Sequence, residues 1–193
     1  PEVVQRTRQA RASLQAELDR QASQVVEIPC VIDGEEVFTG TTRDVTMPTD
    51  HGHVLAKLHL ADDALIQKAI DGAEAARADW AAMPWEARSA VLLKAATLLA
   101  GPWRDRMNAA TMLGQGKTCH QAEIDSACEL IDFWRFNPWY ANGIYAEQPP
   151  ISPDGQWNRL EHRQRHLHHL PSPRRQHRPV ADPVNALVHH PGY

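Results

Sequence analysis

Long apolar runs are missing from this chain: nowhere do the roughly 18 consecutive apolar residues of a membrane span occur, so no helical span is expected. Excess positive charge is missing too. Asp and Glu total 24 against 20 Lys and Arg, the formal net charge is −4 and the pI is near 6.3. No basic footprint argues for a nucleic-acid partner. Cysteine is scarce: Cys30, Cys119 and Cys128 form an odd set without a C-x-x-C pair. That excludes a disulfide scaffold and fits ordinary buried thiols in a reducing compartment. The first residues mix Arg6, Arg8 and Arg11 with Glu2 and Glu17 and have no apolar h-region, so neither a secretory signal nor a transit peptide is seen. Because the chain begins at Pro1 rather than Met, a true N-terminus with any targeting segment is expected upstream. What is present, 42% hydrophobic and 23% charged residues over 193 positions, suffices for one domain or one and a half.

Residues 1–24 are polar with scattered Ala, Leu and Val and read as an amphipathic helix or an arm. In "IPCVIDGEEVF", residues 28–38, two β-prone stretches flank Asp33-Gly34, a pair that tolerates positive φ and predicts a type I′ hairpin. "RDVTMP" and "HVLAKLHL", on either side of Pro48 to Gly52, predict two further strands and a small antiparallel unit. Helical spacing then takes over. Asp62 or Asp63 is a natural N-cap, Leu65, Ala69, Ala73 and Ala76 share one face, and the helix is expected to end near Met83. Pro84 suits the first position of the next helix, which Gly101-Pro102 stops. Trp103 to Leu113 and Cys119 to Tyr140 complete the helical set. Residues 162–193 hold seven of the eleven histidines and five of the fourteen prolines, without period. Such a tail cannot offset its ordering entropy and is expected to be disordered.

Several stretches suggest chemistry. Gly116-Lys117-Thr118 resembles a phosphate cradle, but Thr111 stands where that loop needs its first glycine, and the preceding segment reads as helix, not strand. Glycines breaking one helix and Lys117-Thr118 capping the next explain the run. His166, His168, His169 and His177 crowd the tail, yet nothing there promises the rigid frame of a metal site, so adventitious affinity is expected and no metal is assigned. Cys119, beside Lys117 and His120 at a helix start, is the thiol best placed for a lowered pKa; the ordinary alternative is a small buried thiol. Asp125, Glu129 and Asp132 form one acidic line, either a solvated face or a carboxylate aimed at a cationic ligand group. Trp80, Trp85, Trp103, Trp134, Trp139 and Trp157 read as core or interface anchors.

The order of these parts, hairpin, proline turn, return strand and two helices over residues 31–100, resembles the N-terminal stretch of the aldehyde dehydrogenase superfamily. Within it, "AATMLGQGKTCHQAEIDSACELIDFWRFN", residues 109–137, and "EQPPISPDGQWNRLEHR", residues 147–163, resemble the 1-pyrroline-5-carboxylate (glutamate γ-semialdehyde) dehydrogenases. The resemblance implies an α/β fold of which this chain holds the N-terminal part, a small antiparallel β unit plus helices of an incomplete cofactor domain. It divides the chain into an arm at 1–24, a partial cofactor-side domain at 25–161 and a divergent tail at 162–193. It also implies NAD as cofactor, a homo-oligomer, a small-molecule substrate, proline catabolism, and the mitochondrial matrix in a eukaryote or the cytoplasm otherwise. Glu129 in "DSACELIDFW" matches a family carboxylate near the substrate's α-amino end, where a buried or half-buried charge would suit an ammonium group. No cysteine here matches the family's nucleophile motif, so no catalytic or cofactor-binding residue is assigned. After Arg163 the family continues into an apolar strand and Phe-Asn-Phe, whereas here Arg, Pro and His dominate. Residues 164–193 are therefore expected to come from a shifted reading frame or a variant ending. The fragment is expected to be inactive alone, and the rival reading is a noncatalytic module, residues 62–142, that binds dehydrogenase subunits.

Overall fold

The computed structural model describes residues 2–162, and the expectations for the tail lie outside that span. Helix α1, Glu2–Ala22, bears out the helical reading of the first segment. It lies along α4, Arg104–Gln115, through Ser13 Oγ to Asp105 Oδ2 at 2.5 Å and Gln21 Nε2 to the Arg106 carbonyl at 2.9 Å. Along α1, Glu17 accepts from Arg20 and Gln21. The Arg20 hydrogen bond outweighs the opposing effect of burial and holds the Glu17 pKa down at about 2.

The hairpin forms as expected, from β2, Cys30–Ile32, and β3, Glu35–Val37, with Cys30 opposite Val37. Asp33 and Gly34 sit at φ 54 and 79, which only this kind of turn residue adopts at low cost. Strands β4, Thr42–Met47, and β5, Asp50–His59, pair antiparallel around a bulged tip at Val45 to Met47. The antiparallel unit needs correction in one respect. A short β1, Val26–Ile28, adds to the other edge of β5 in parallel, with Val26 opposite Ala56, so the three-stranded sheet is mixed and the hairpin forms a separate sheet. His59, 7% exposed, knots these pieces together. Its Nδ1 accepts from the Gly40 N–H at 3.2 Å, which leaves the proton on Nε2, 2.6 Å from the Glu27 carboxylate of β1.

Helix α2, Asp63–Ala82, starts on Asp62, whose side chain accepts from the Leu65 N–H at 2.8 Å. None of its residues is buried: in the Leu65, Ala69, Ala73, Ala76 stripe the first two are half-buried and the last two exposed. Helix α3, Trp85–Ala100, follows; Pro84 takes the cap position and Trp85 the first helical one. The core lies where α3 crosses the last long helix, α6, Glu129–Ala146. Ala96, Leu99, Met107, Ala127 and Ile131 are at most 4% exposed, and Trp103 and Trp134 pack against them. Alanines at this contact let the two backbones approach closely. Of the tryptophans, Trp103 and Trp134 pack on the core and Trp85 is half-buried against Tyr145, while Trp80, Trp139 and Trp157 are 41%, 67% and 79% exposed. Helix α6 also runs past Tyr140, carrying a buried Pro138 inside it.

Candidate functional site

Between α4 and α6 the chain makes a cap, a short helix and a widened turn. Gly116, at φ 65, ends α4 in the left-handed conformation that glycine takes without penalty. Thr118 then caps α5, Cys119–Ala122, in a capping box. Its Oγ1 accepts from the Gln121 N–H at 3.3 Å, while Gln121 Oε1 accepts from the Thr118 N–H at 3.0 Å. Gly116 and Thr118 of the Gly-Lys-Thr run thus serve helix ends, and the Lys117 ammonium pairs with Asp125. Cys119 is exposed in the first turn of α5, and Cys30 and Cys128 are half-buried, so the expectation of buried thiols is corrected.

Residues Glu123–Cys128 form a π-helical turn, closed by the Glu129 N–H on the Ile124 carbonyl five residues back. Single π turns inside α-helices often accompany functional sites. Here the wide turn is held from outside. Glu123 accepts from Arg104 Nε at 3.2 Å and from Arg104 Nη2, and from Asn108 Nδ2 at 2.7 Å. Burial pushes the Glu123 carboxyl up, but the bonds from Arg104 and Asn108 and the nearby guanidinium charge outweigh it and leave it below the ordinary carboxylate value. The same carboxylate raises the pKa of Arg104. Asn108 is 3% exposed and turns its Oδ1 toward Ser126 Oγ, 3.1 Å away. That hydroxyl donates to the Ala122 carbonyl at 2.6 Å, at the end of α5 just before the turn. Cys128 Sγ completes the cluster, 3.7 Å from Glu123 and 3.6 Å from Arg104.

Glu129 is the first residue beyond this turn, and its side chain is exposed rather than buried or half-buried. Asp125 and Asp132 are exposed beside it, and Lys117 Nζ meets Asp125 Oδ2 at 2.5 Å, an ordinary surface pair. Glu129 follows in sequence the turn held by Arg104, Asn108, Glu123 and Ser126, a network that sequence reasoning missed. Arg104 and Glu123 stand 19 residues apart, on no shared period. Among the described residues no group of three His, Cys, Asp or Glu is placed to hold a metal ion, and the histidines that raised the metal question lie outside them.

Residues 37–164 match the aldehyde dehydrogenase family, and the chain belongs to it. The particular branch follows from its relatives. The sequence is 48% identical over 154 residues to the delta-1-pyrroline-5-carboxylate dehydrogenase of Agaricus bisporus, covering 79% of this chain and 28% of that protein. It is 49% identical over 135 residues to the mitochondrial delta-1-pyrroline-5-carboxylate dehydrogenase of Dictyostelium discoideum, covering 70% and 24%. The solved delta-pyrroline-5-carboxylate dehydrogenase from Mycobacterium tuberculosis, bound with NAD, is similar at TM-score 0.74 and 48% identity, covering 77% of this chain and 28% of that one. The chain spans about a quarter of the length of the curated relatives it matches.

Proposed function

We propose that this chain supplies the amino-terminal, cofactor-side part of an NAD-dependent dehydrogenase that oxidises L-glutamate γ-semialdehyde, the open form of 1-pyrroline-5-carboxylate, to L-glutamate in proline catabolism. The identity to proteins of that name along most of the described chain carries the reading. Glu129 is proposed as the carboxylate that receives the substrate's α-ammonium, held in phase by the π turn behind it. Its charge and its place directly after a π turn support that role.

NAD belongs to the whole enzyme and not to these residues. The described residues offer no strand, glycine loop and helix in series to cradle a pyrophosphate: β1 and β5 are parallel neighbours, but a hairpin and β4 lie between them in sequence. The chain alone is accordingly proposed to be inactive. Mitochondrial relatives in eukaryotes support a matrix location there, and the family resemblance a homo-oligomer.

The test is a chimera in which residues 37–162 replace the matching segment of the Mycobacterium tuberculosis enzyme. Turnover of the semialdehyde with NAD is expected to persist, and Glu129→Gln in the chimera to raise KM at least tenfold with a smaller change in kcat. A folded chimera that binds NAD but ignores the semialdehyde overturns the substrate reading. Saturable turnover by chain 1–193 itself overturns the inactivity. A second reading, a noncatalytic module over 62–142 that binds dehydrogenase subunits, draws on the exposed Phe133, Phe136 and Trp139 of α6. Capture of an intact subunit by the purified chain supports it, and failure of capture removes it.

A further inference from the structure

A π turn carries one residue more than the α turn it replaces, and such turns are rare because ordinary helix bonds better. Some contact must therefore keep the surplus residue within Glu123–Cys128. It has no room to retreat: only the four residues of α5 precede it, closed off by the Thr118 capping box. It has room to advance, and α6 offers it a second seat. Pro138, inside that helix, lacks the N–H that would close a bond on the carbonyl four residues back, so the helix is already interrupted there.

The apolar face of α6 does little to prevent the move. If the surplus residue passed from the turn to Pro138, each side chain in between would take the place of its successor, about 100° further round the helix. Leu130 would then stand where Ile131 stands, and Phe133 where Trp134 stands. Ile131 is 4% exposed in the core, and Leu130 and Trp134 pack against that core. Each place would exchange one large apolar side chain for another, the kind of swap that cores tolerate best. The doublets Leu130-Ile131 and Phe133-Trp134 thus leave two registers open to the helix. Glu129 tells them apart: it is exposed in the register observed and would swing into the half-buried place of Leu130 in the other.

Helix α4 supplies the choice that the apolar face does not. Asn108, buried at 3% exposure, donates from Nδ2 to Glu123 Oε2 at 2.7 Å and turns Oδ1 to the Ser126 hydroxyl at 3.1 Å. A carboxylate only accepts, so the amide has one orientation here. It spans the first and fourth residues of the wide turn, a pair whose relative angle changes when the turn closes to ordinary helix. Arg104 adds contacts to Glu123 and Cys128, but from a side chain about a third exposed. We propose that Asn108 is a positioning residue: it locks the surplus residue ahead of Glu129 and so fixes the direction in which Glu129 presents its carboxylate. Its bearing on turnover rests on the reading of Glu129 as the partner of the substrate's ammonium group.

The test uses the chimeric enzyme carrying Asn108→Leu, which keeps the shape of the amide and removes its hydrogen bonds. KM for the semialdehyde is expected to rise about fivefold with kcat within about twofold, whereas a mere loss of folded enzyme would lower apparent kcat and leave KM alone. The crystal structure of the variant is expected to show the wide turn beyond Glu129. Deleting Asp125 as well removes the surplus residue, and KM is expected to return to within about twofold of the parent. Ser126→Ala, which takes away only one of the two contacts, is expected to raise KM about twofold and carries the test if Asn108→Leu does not fold. A wide turn still at 123–128 in the Asn108→Leu crystal structure overturns the proposal. So does an unchanged KM in Asn108→Leu, or in Ser126→Ala where that variant stands in, when Glu129→Gln raises KM in the same chimera. An unchanged KM in Glu129→Gln sinks the reading of Glu129 instead, and the position of the turn in the crystal structure then decides for or against the lock.

Discussion

At the scale of single residues, Glu123 governs the wide turn. It is the one carboxylate that ties Arg104 and Asn108 of α4 to the π segment, and burial alone would disfavour its charge. Glu123→Gln keeps the shape and removes the charge. The expected loss is about 1–2 kcal/mol at neutral pH in urea unfolding, below the full charge-assisted range because about a third of each ion-pair side chain meets solvent. The pH dependence has a fixed sign. Glu123 and Glu17 both have folded pKa values below the ordinary 4.5, so their stabilisation is complete above 4.5 and drains away as pH falls through the folded values, about 2 for Glu17. The Glu123→Gln protein should therefore lose less stability between pH 4.5 and 2 than the parent; parallel curves would show that the carboxylate contributes nothing there.

At the scale of elements, the hairpin and α2 touch through one close approach. A Cβ built on Gly72 would lie 1.8 Å from Asp33 Oδ1, so Gly72→Ala must displace that side chain. The same change adds helix propensity worth about 1 kcal/mol. In the Asp33→Gly background the alanine is expected to stabilise by about that amount, and in the parent to gain little or nothing, a coupling read by a double-mutant cycle. Additive changes would mean that hairpin and helix do not bear on each other. The Asp33-Gly34 turn, the Asp62 cap and the Thr118 cap were legible beforehand because each is a local device whose residues lie within three or four positions. Strand β1 was not: three residues are too few to show alternation, and its partner Ala56 lies 30 positions on from Val26. The Glu123 network escaped for the same reason. The proposed role of Glu129 rests on resemblance alone, since its spacing to Asp125 and Asp132 equally describes a wetted face.

At the scale of the whole molecule, the described chain leaves much apolar surface open. On α6 alone Phe133, Phe136, Trp139, Tyr140 and Ile144 are 54% to 67% exposed, and Val91 and Leu93 of α3 add 54% and 45%. Contiguous patches of that kind drive association. Purified 1–193 is expected to bind a hydrophobic dye and to elute at a mass that rises with concentration; a dye-silent, concentration-independent monomer would contradict it. The widened turn bears on this surface by leaving it alone. A π turn holds roughly one residue more than an α turn, so striking out one residue between Glu123 and Cys128 closes it to ordinary helix and leaves the side chains from Glu129 to Ala146 facing as before. The aromatic band would keep its outlook, and the widened stretch itself, with its reach toward the neighbouring helix, is what a single lost codon would erase.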